Sequence, residues 1–396
     1  MQRNKLFLFF LIILSISFKE VTVSAASNQS KTFSLLTCEP GEEAYSLFGH
    51  TAIRYKDTTR NIDLVFNYGL FNFNSPNFFL RFALGQTDYQ LGITSFQDFI
   101  YEYNFYKRQV WEQELNLTPS ESNHLLFLLE ENYNPQNRTY RYNFLYNNCS
   151  TKPRDIIHKV IEDSIILAKD TSYTKSFRTI IHEHTFNFPW KEFGIDLCLG
   201  SKADKPISQS EELFAPLYLM ASMSKTNIKR EKELTTLAGP TKTILSFENK
   251  PSIRKKTIFI TPFQAFSALL LLFTLITYFN RKRNQWGRVL DTLIFICLGL
   301  AGTLISFLVF FSEHPAVSPN YILFIIHPLY LLYPFFLWSK RLKQLRLLIF
   351  TLNLIVLTLF MMLWGVIPQR INLAIVPLAL ILLLRTTYYV FYKKNR

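Results

Sequence analysis

Tyr142-Asn143-Phe144-Leu145-Tyr146-Asn147-Asn148-Cys149-Ser150-Thr151-Lys152-Pro153-Arg154-Asp155 reads as a strand that ends in two asparagines and passes through a polar step into a helix. Tyr140–Tyr146 alternates as a strand does, and Pro153 suits the first turn of a helix. A helical apolar face then runs over Asp155–Ile166. Cys149 therefore stands at or just before a helix N-terminus. Unpaired N–H groups and the helix dipole there favour a thiolate and can polarise an acyl carbonyl. The alternative is a small cysteine packed behind the helix start, against which its polar neighbours speak.

Upstream, Thr32–Thr37, Thr51–Tyr55 and Ile62–Tyr68 read as strands. Between the first two lie Cys38-Glu39-Pro40-Gly41 and Phe48-Gly49-His50, so His50 opens a strand where an imidazole can face a cleft. A thiol at a helix start and an imidazole on a strand are the two groups that nucleophilic acyl transfer needs. A third polar group usually orients the imidazole. Asp63, Asn67 and Tyr68 lie on the next strand, and Asp63 and Asn67 share a face by its two-residue period. Asp63 is the favoured third member. Cys38 is the rival thiol: a second functional group, a disulfide partner of Cys198, or a packed residue. Asn123–Tyr133 reads as a helix begun by Thr118-Pro119-Ser120-Glu121.

Arg3 and Lys5, the apolar run Leu6–Phe18 and the small residues Val23–Ala26 read as a signal peptide over residues 1–26, with an uncleaved first span as the alternative. Four cysteines are too few for a disulfide scaffold. The net charge of +14 would suit a nucleic-acid binder, but export argues against that partner, and many of the charges flank apolar runs. Residues 27–200 read as one α+β thiol domain, and 201–260, polar and weakly periodic, as a connecting segment.

From residue 261 onward five apolar stretches follow, near 262–280, 288–311, 321–339, 346–366 and 371–391, each close to the roughly 20 residues that a spanning helix needs. Arg281–Arg283 with Arg288, Lys340–Arg346, and Lys393–Arg396 alternate with connections that carry only Arg370. The positive-inside rule makes the basic set and the C-terminus cytoplasmic and the thiol domain periplasmic, in agreement with the signal peptide. The expected architecture is thus an α+β periplasmic domain followed by an all-α bundle of five transmembrane helices over 261–396. Arg254–Lys256 lie outside the first span, where they would meet headgroups or serve as a solvated linker. Asn72–Phe82 is aromatic enough to dip into the membrane interface, although core packing is the commoner role of Phe.

His before Cys reverses the papain order and resembles the permuted NlpC/P60 arrangement of the lecithin:retinol acyltransferase type. More closely, Leu35–Gly41, Phe48–Arg54, Asp63–Phe71, Tyr146–Asp155, Glu313-His314-Pro315 and Ser318–Tyr321 resemble the Lnb-type lipoprotein N-acyltransferases of Bacteroidota. The resemblance implies an inner-membrane enzyme that moves an acyl chain from a phospholipid donor through a Cys149 thioester to the α-amine of a diacylated lipoprotein. His50 would be the base, the helix N-terminus would hold the oxyanion, and no metal or cofactor would be required. On that reading Glu313, His314 and Asn320, in an external loop, and Asn67 and Tyr68 are candidate substrate-binding residues. No His/Cys/Asp/Glu cluster shows metal-ligand spacing. A peptidoglycan amidase or endopeptidase would use the same thiol with water as acceptor and is the alternative.

Overall fold

A computed structural model of the protein describes residues 30–71, 74–161, 165–166, 175–230, 233–247, 260–279 and 286–392. The expected signal peptide 1–26, Asn72 and Phe73 of the aromatic stretch, and the basic residues 254–256, 281–283 and 393–396 lie outside the described residues.

Strands β1 (Lys31–Cys38), β2 (His50–Asp57), β3 (Ile62–Leu70), β4 (Asp88–Ser95), β5 (Val110–Glu114), β6 (Thr139–Arg141) and β10 (Lys242–Leu245) form an antiparallel seven-stranded sheet of order β10-β5-β1-β2-β3-β4-β6. Strand β1 is central and buried on both faces, which is why Phe33–Cys38 reads as a nearly unbroken apolar run. The two-residue period sorts the neighbouring side chains. Leu36, Cys38, Ala52, Val65 and Val110 lie on one face, under Phe99 and Tyr103 of a helix at Phe96–Phe105. Phe33, Leu35, Ile53, Phe66 and Tyr68 lie on the other. A helix at Pro119–Tyr133, begun by a Thr118–Glu121 capping box, and the helix Thr151–Val160 cover that second face with Leu125, Leu128, Leu129, Ile156 and Ile157.

In chain order the helices of this half are α1 (Phe78–Leu84), α2 (Phe96–Phe105), α3 (Pro119–Tyr133), α4 (Thr151–Val160), α5 (Phe177–Thr185), α6 (Pro189–Cys198) and α7 (Pro216–Met223). Helix α4 starts four residues before the expected Asp155, and Ile165–Ile166 is the short strand β7. The strand expected over Tyr140–Tyr146 is cut to β6 because Asn143 Oδ1 accepts the N–H groups of Leu145 and Tyr146 and turns the chain.

Residues 201–247 are not a linker. Leu219 and Met223 of α7 enter the core beside Leu35, and Gln113 donates to the Met220 carbonyl and the Ser224 hydroxyl. Strand β8 (Asn227–Arg230) pairs with β7 on one side and with β9 (Glu233–Thr236) on the other, and β10 closes the edge of the large sheet against β5. Each element is too short to show a period.

The membrane half contains α8 (Pro262–Phe279), α9 (Trp286–Phe311), a broken third segment ending in α10 (Tyr333–Trp338), α11 (Lys343–Met362) and α12 (Ile375–Thr387). Among the described residues, four segments are long and apolar enough to cross a membrane: Pro262–Phe279, Gly287–Phe311, Tyr321–Trp338 and Lys343–Met362. The fifth expected span, Ile375–Phe391, is shorter, so four candidate spans stand where the sequence suggests five. Pro328 and Pro334 lack N–H donors, and the third segment runs as two 3-10 turns before α10. It lies close against α9, where a Cβ on Gly302 would meet the His327 backbone at 2.4 Å. Within the bundle Arg385 grips Asp291 through two bonds of 2.6 and 2.7 Å, and the Tyr389 hydroxyl donates to the same carboxylate at 2.6 Å. The outer surface is apolar (Leu271, Phe279, Leu300 and Leu304 are all exposed), as a lipid-facing surface must be.

Direct bonds join the two halves. Gly200 and Ser201 donate their N–H groups to the carbonyls of Ala316 and Pro319. Asn320 Nδ2 donates to the Leu197 carbonyl, Gln369 Nε2 to the Leu199 carbonyl, and Asn372 Nδ2 to Asp196. A Cβ on Gly200 would lie 2.4 Å from the Pro319 oxygen, so this close approach needs glycine.

Candidate active site

Helix α4 carries its Ser150 N-cap directly after Cys149. Asn148 shapes the entry: its side-chain oxygen accepts the N–H groups of Ser150 and Thr151 at 2.7 and 2.9 Å, and its amide donates to the Phe144 and Phe214 carbonyls. The first free N–H groups of α4 are therefore spoken for. They do not form the oxyanion pocket expected of them.

The backbone N–H groups of Thr51, the neighbour of His50 on β2, and of Cys149 itself act on the thiol and favour its charged form. The β2–β3 ladder runs from Asp57–Ile62 to Ile53–Phe66, so Thr51 lies beyond its last pair. Gly69 of β3 lies on the other side of Cys149. Its φ of +96° favours glycine, and an added Cβ would stand 3.3 Å from the Cys149 Cβ. The thiol thus sits where the ends of β2 and β3 part.

His50 opens β2 on the same sheet face as Asn67, and the two meet: Nε2 lies 3.2 Å from Asn67 Oδ1. The amide is fixed in turn, since Asn67 Nδ2 donates to Thr94 Oγ1 on β4 at 3.3 Å. An amide oxygen only accepts, so Nε2 carries the hydrogen and Nδ1 keeps the lone pair. The acceptor nitrogen of His50 is thereby defined.

Asp63, expected to orient the imidazole, does not. It shares the sheet face with Asn67 but sits four residues away along β3, about 13 Å at ordinary strand rise. There it is clamped by Arg54 through two bonds of 2.8 and 2.6 Å, and Arg54 also reaches Glu112 at 2.9 Å. Tyr68 points to the opposite face, where it is buried and its hydroxyl accepts from Asn132. It does not line the site. Glu313, His314 and Asn320 hold the two halves together. Glu313 accepts from Gln86 at 2.6 Å, His314 Nε2 donates to the Phe82 carbonyl of α1 at 2.8 Å, and Asn320 is buried between Leu197, Ile322 and Gln369. In this structure all three serve the junction.

Burial sets the protonation states. Cys149 is half-buried, and enough protein surrounds the thiol to push its pKa up to about 11. The bonds from Thr51 and from its own N–H, and the charge of Arg108, pull the other way and lose. Burial likewise lowers His50 to about 4, against the Asn67 bond that raises it. Both shifts favour the neutral forms, a protonated thiol at Cys149 and an uncharged imidazole at His50. A preformed thiolate, the reason for favouring Cys149 over Cys38, is absent. Cys38 remains the poorer nucleophile: it is fully buried under α2 beside Tyr103, and its pKa is pushed up to about 12. It is not bridged to Cys198, which ends α6; all four cysteines are free.

Arg108 escaped the sequence reading. Its Nε donates to the Glu39 carbonyl at 2.7 Å, its guanidinium lies 4.9 Å from the centre of the Tyr103 ring, and one terminal nitrogen is buried with no partner among the described residues. Its charge acts on Cys38, His50 and Cys149 alike. The residue follows α2 in a polar turn with nothing in its local pattern to mark it.

Folding also gathers His182, Glu192 and Asp196, whose donor atoms lie within 4.8 Å of one another, a cluster invisible in the sequence spacing. Asp196 already serves Arg178 at 2.5 Å, His182 at 2.9 Å and Asn372 at 2.9 Å, and Glu192 takes the Thr185 hydroxyl. The adjoining buried guanidinium opposes a second cation, so the donor set does not fit a metal.

Comparison with known proteins adds the family. A family model described as the Lnb N-terminal periplasmic domain matches residues 17–183, and one described as the Lnb transmembrane domain matches residues 254–396. No curated protein and no solved structure matches the chain. Two models of one family, in the right order, leave only 1–16 and 184–253 unmatched, and they fall on the mixed α/β half and the helical half described above. The chain belongs to the Lnb family and is a membrane protein with a periplasmic N-terminal domain.

Proposed function

We propose that the chain is a thiol-dependent N-acyltransferase that completes the lipid anchor of bacterial lipoproteins. The carrying observation is a Cys149 thiol influenced by the N–H of Thr51, the residue next to a His50 whose tautomer Asn67 defines. His50 on β2 and Cys149 before α4 follow the order of the permuted NlpC/P60 arrangement, which is the fold reading we attach to the periplasmic domain. Residues 1–26 would be its signal peptide, and the bundle would sit in the inner membrane with a cytoplasmic C-terminus, as the basic segments require.

In the first half-reaction the sulfur attacks an ester carbonyl of a membrane phospholipid while His50 Nδ1 takes the thiol proton. Because both groups rest neutral, proton transfer accompanies attack. Collapse of the tetrahedral intermediate breaks the ester C–O bond, His50 returns the proton to the leaving alkoxide, and a lysophospholipid departs. In the second half-reaction the neutral α-amine of a diacylglyceryl-cysteine attacks the thioester. His50 accepts a proton from the amine and hands it to the departing sulfur, restoring Cys149 and leaving an amide. The N–H groups of Thr51 and Cys149, which already favour the thiolate, would serve a developing oxyanion. The lipid-facing bundle supports lipid substrates over wall peptides.

The test is mass spectrometry of the lipidated N-terminal peptide of a reporter lipoprotein, co-expressed with wild type or Cys149→Ser in cells lacking other N-acylation. A third acyl chain with wild type only is the expected result. A free α-amine in both samples, with both proteins in the membrane, overturns the assignment.

A further inference from the structure

A cavity of about 450 Å³ opens at the turn that follows β1, and neither His50 nor Cys149 lines it. Its walls include Glu39, Trp111, Glu183, His184, Phe188 and Tyr218. Its place follows from the chain path. Glu39 succeeds Cys38, which pairs with His50 across β1 and β2, and Arg108 binds the Glu39 carbonyl while its charge reaches Cys149.

The chemistry of the lining is one-sided. His184 Nδ1 donates to the Ile180 carbonyl at 2.9 Å, so in the neutral ring Nε2 is a bare acceptor. Burial and the facing Lys175 lower its pKa, against the Ile180 bond and Glu183, and the ring stays neutral. Nε2 is buried and has no partner among the described residues, while the ring face stacks on Phe48 at 4.9 Å. The two charged wall residues are carboxylates. Lys175, behind the wall, binds Glu183 and Tyr218, and Lys191 lies over the Phe188 ring and binds the Glu42 carbonyl. A buried acceptor, two carboxylates and aromatic walls ask for a cation that brings its own N–H donors.

We infer that this cavity binds a primary ammonium group, with His184 Nε2 accepting one of its hydrogens and the aromatic walls and carboxylates balancing its charge. On the function proposed above, two sources carry such a group next to an ester or a thioester: an ethanolamine headgroup on the donor lipid and the α-ammonium of the acceptor before it loses its proton. The inference rests on that reading for the sources alone. The lining calls for the ammonium whatever the reaction.

Binding separates the two questions. Full-length Cys149→Ser protein in nanodiscs is examined by native mass spectrometry with two ligand pairs. One pair is phosphatidylethanolamine against phosphatidylcholine, whose quaternary nitrogen has no hydrogen to give. The other is a synthetic diacylated lipopeptide with a free against an acetylated α-amine. One pair is expected to show a preference of on the order of tenfold or more for the primary ammonium, the worth of one hydrogen bond to a charged group. His184→Phe, which keeps the stack on Phe48, is expected to abolish that preference. A preference within the lipid pair identifies the donor headgroup, and one within the lipopeptide pair the acceptor. Equal retention within both pairs overturns the inference, as does a preference that His184→Phe leaves intact. The ligand comparison uses an unaltered cavity, so a misfolded variant cannot decide it. Failure of the acyl-transfer reading would show only in the reporter assay.

Discussion

Selective alkylation of Cys149 measures whether its thiol rests protonated. An ordinary cysteine, with a pKa near 8.5, is about 3 % thiolate at pH 7. A pKa of about 11 leaves a fraction of roughly 10⁻⁴, some 300-fold less. The greater basicity of the thiolate returns about a factor of ten in nucleophilicity, so iodoacetamide should react roughly 30-fold more slowly than with a free peptide thiol. The rate should rise with pH without a plateau up to about pH 10. His50→Ala should hardly change this profile while abolishing acyl transfer. His50 is lowered to about 4, so its basic form is present above that pH, and the thiol form that it deprotonates persists until about 11. The first half-reaction, which involves no amine and is read as lysophospholipid released in a single turnover, should therefore lose rate only as pH falls below about 5 and should show no loss near 6.5, the ordinary histidine value. Alkylation is read by peptide mass spectrometry, which separates Cys149 from Cys38, Cys198 and Cys297. A plateau with an inflection below pH 7 that vanishes in His50→Ala would reveal a resting thiolate–imidazolium pair and refute the neutral-pair reasoning.

Asn67→Ala should lower kcat by about 10- to 100-fold, the cost of one bond to a base that becomes charged, while KM for the donor stays near wild type in steady-state assays. Gly69→Ala forces a side chain into a φ of +96° beside Cys149; acyl transfer should fall more than about tenfold at normal protein level, as strain of 1–3 kcal/mol and a displaced thiol imply. Asp63→Asn should cost about 2 kcal/mol in thermal or denaturant unfolding by loosening Arg54, yet leave the rate close to wild type. Asp291→Asn strands the buried Arg385 and should destabilise the bundle by about 3–5 kcal/mol, read as a lower melting temperature in detergent.

Legibility in the sequence tracked how local each determinant is. The Thr118–Glu121 box, the Cys149 junction and the strand carrying His50 each announce themselves within a few residues, and each stands where the pattern puts it. The choice between Asp63 and Asn67 depends on strand register, which no single strand encodes: β2 pairs with β3 so that His50 falls near Asn67 and Arg54 near Asp63. The thiol pKa went astray for a related reason. The start of α4 is visible in the sequence, but the occupation of the Ser150 and Thr151 N–H groups by Asn148 is not. Arg108, the strands within 227–245 and the junction roles of Glu313, His314 and Asn320 belong to long-range contacts that leave no periodic trace.

The bonds that Gly200, Ser201, Asn320, Gln369 and Asn372 make across the two halves have a mechanical consequence. A domain on a slack tether samples many heights above a bilayer and many orientations. Fastened in this way, the periplasmic half works like a stylus on a rigid arm. The bundle sets the height of Cys149, and on the proposed function each lipid would have to raise its ester to that height. Thickening or thinning the bilayer then tilts or shifts the bundle and retunes the gap that the substrate must cross. Turnover should consequently respond to acyl-chain length through the geometry of the whole membrane, independently of how well any single chain fits the site.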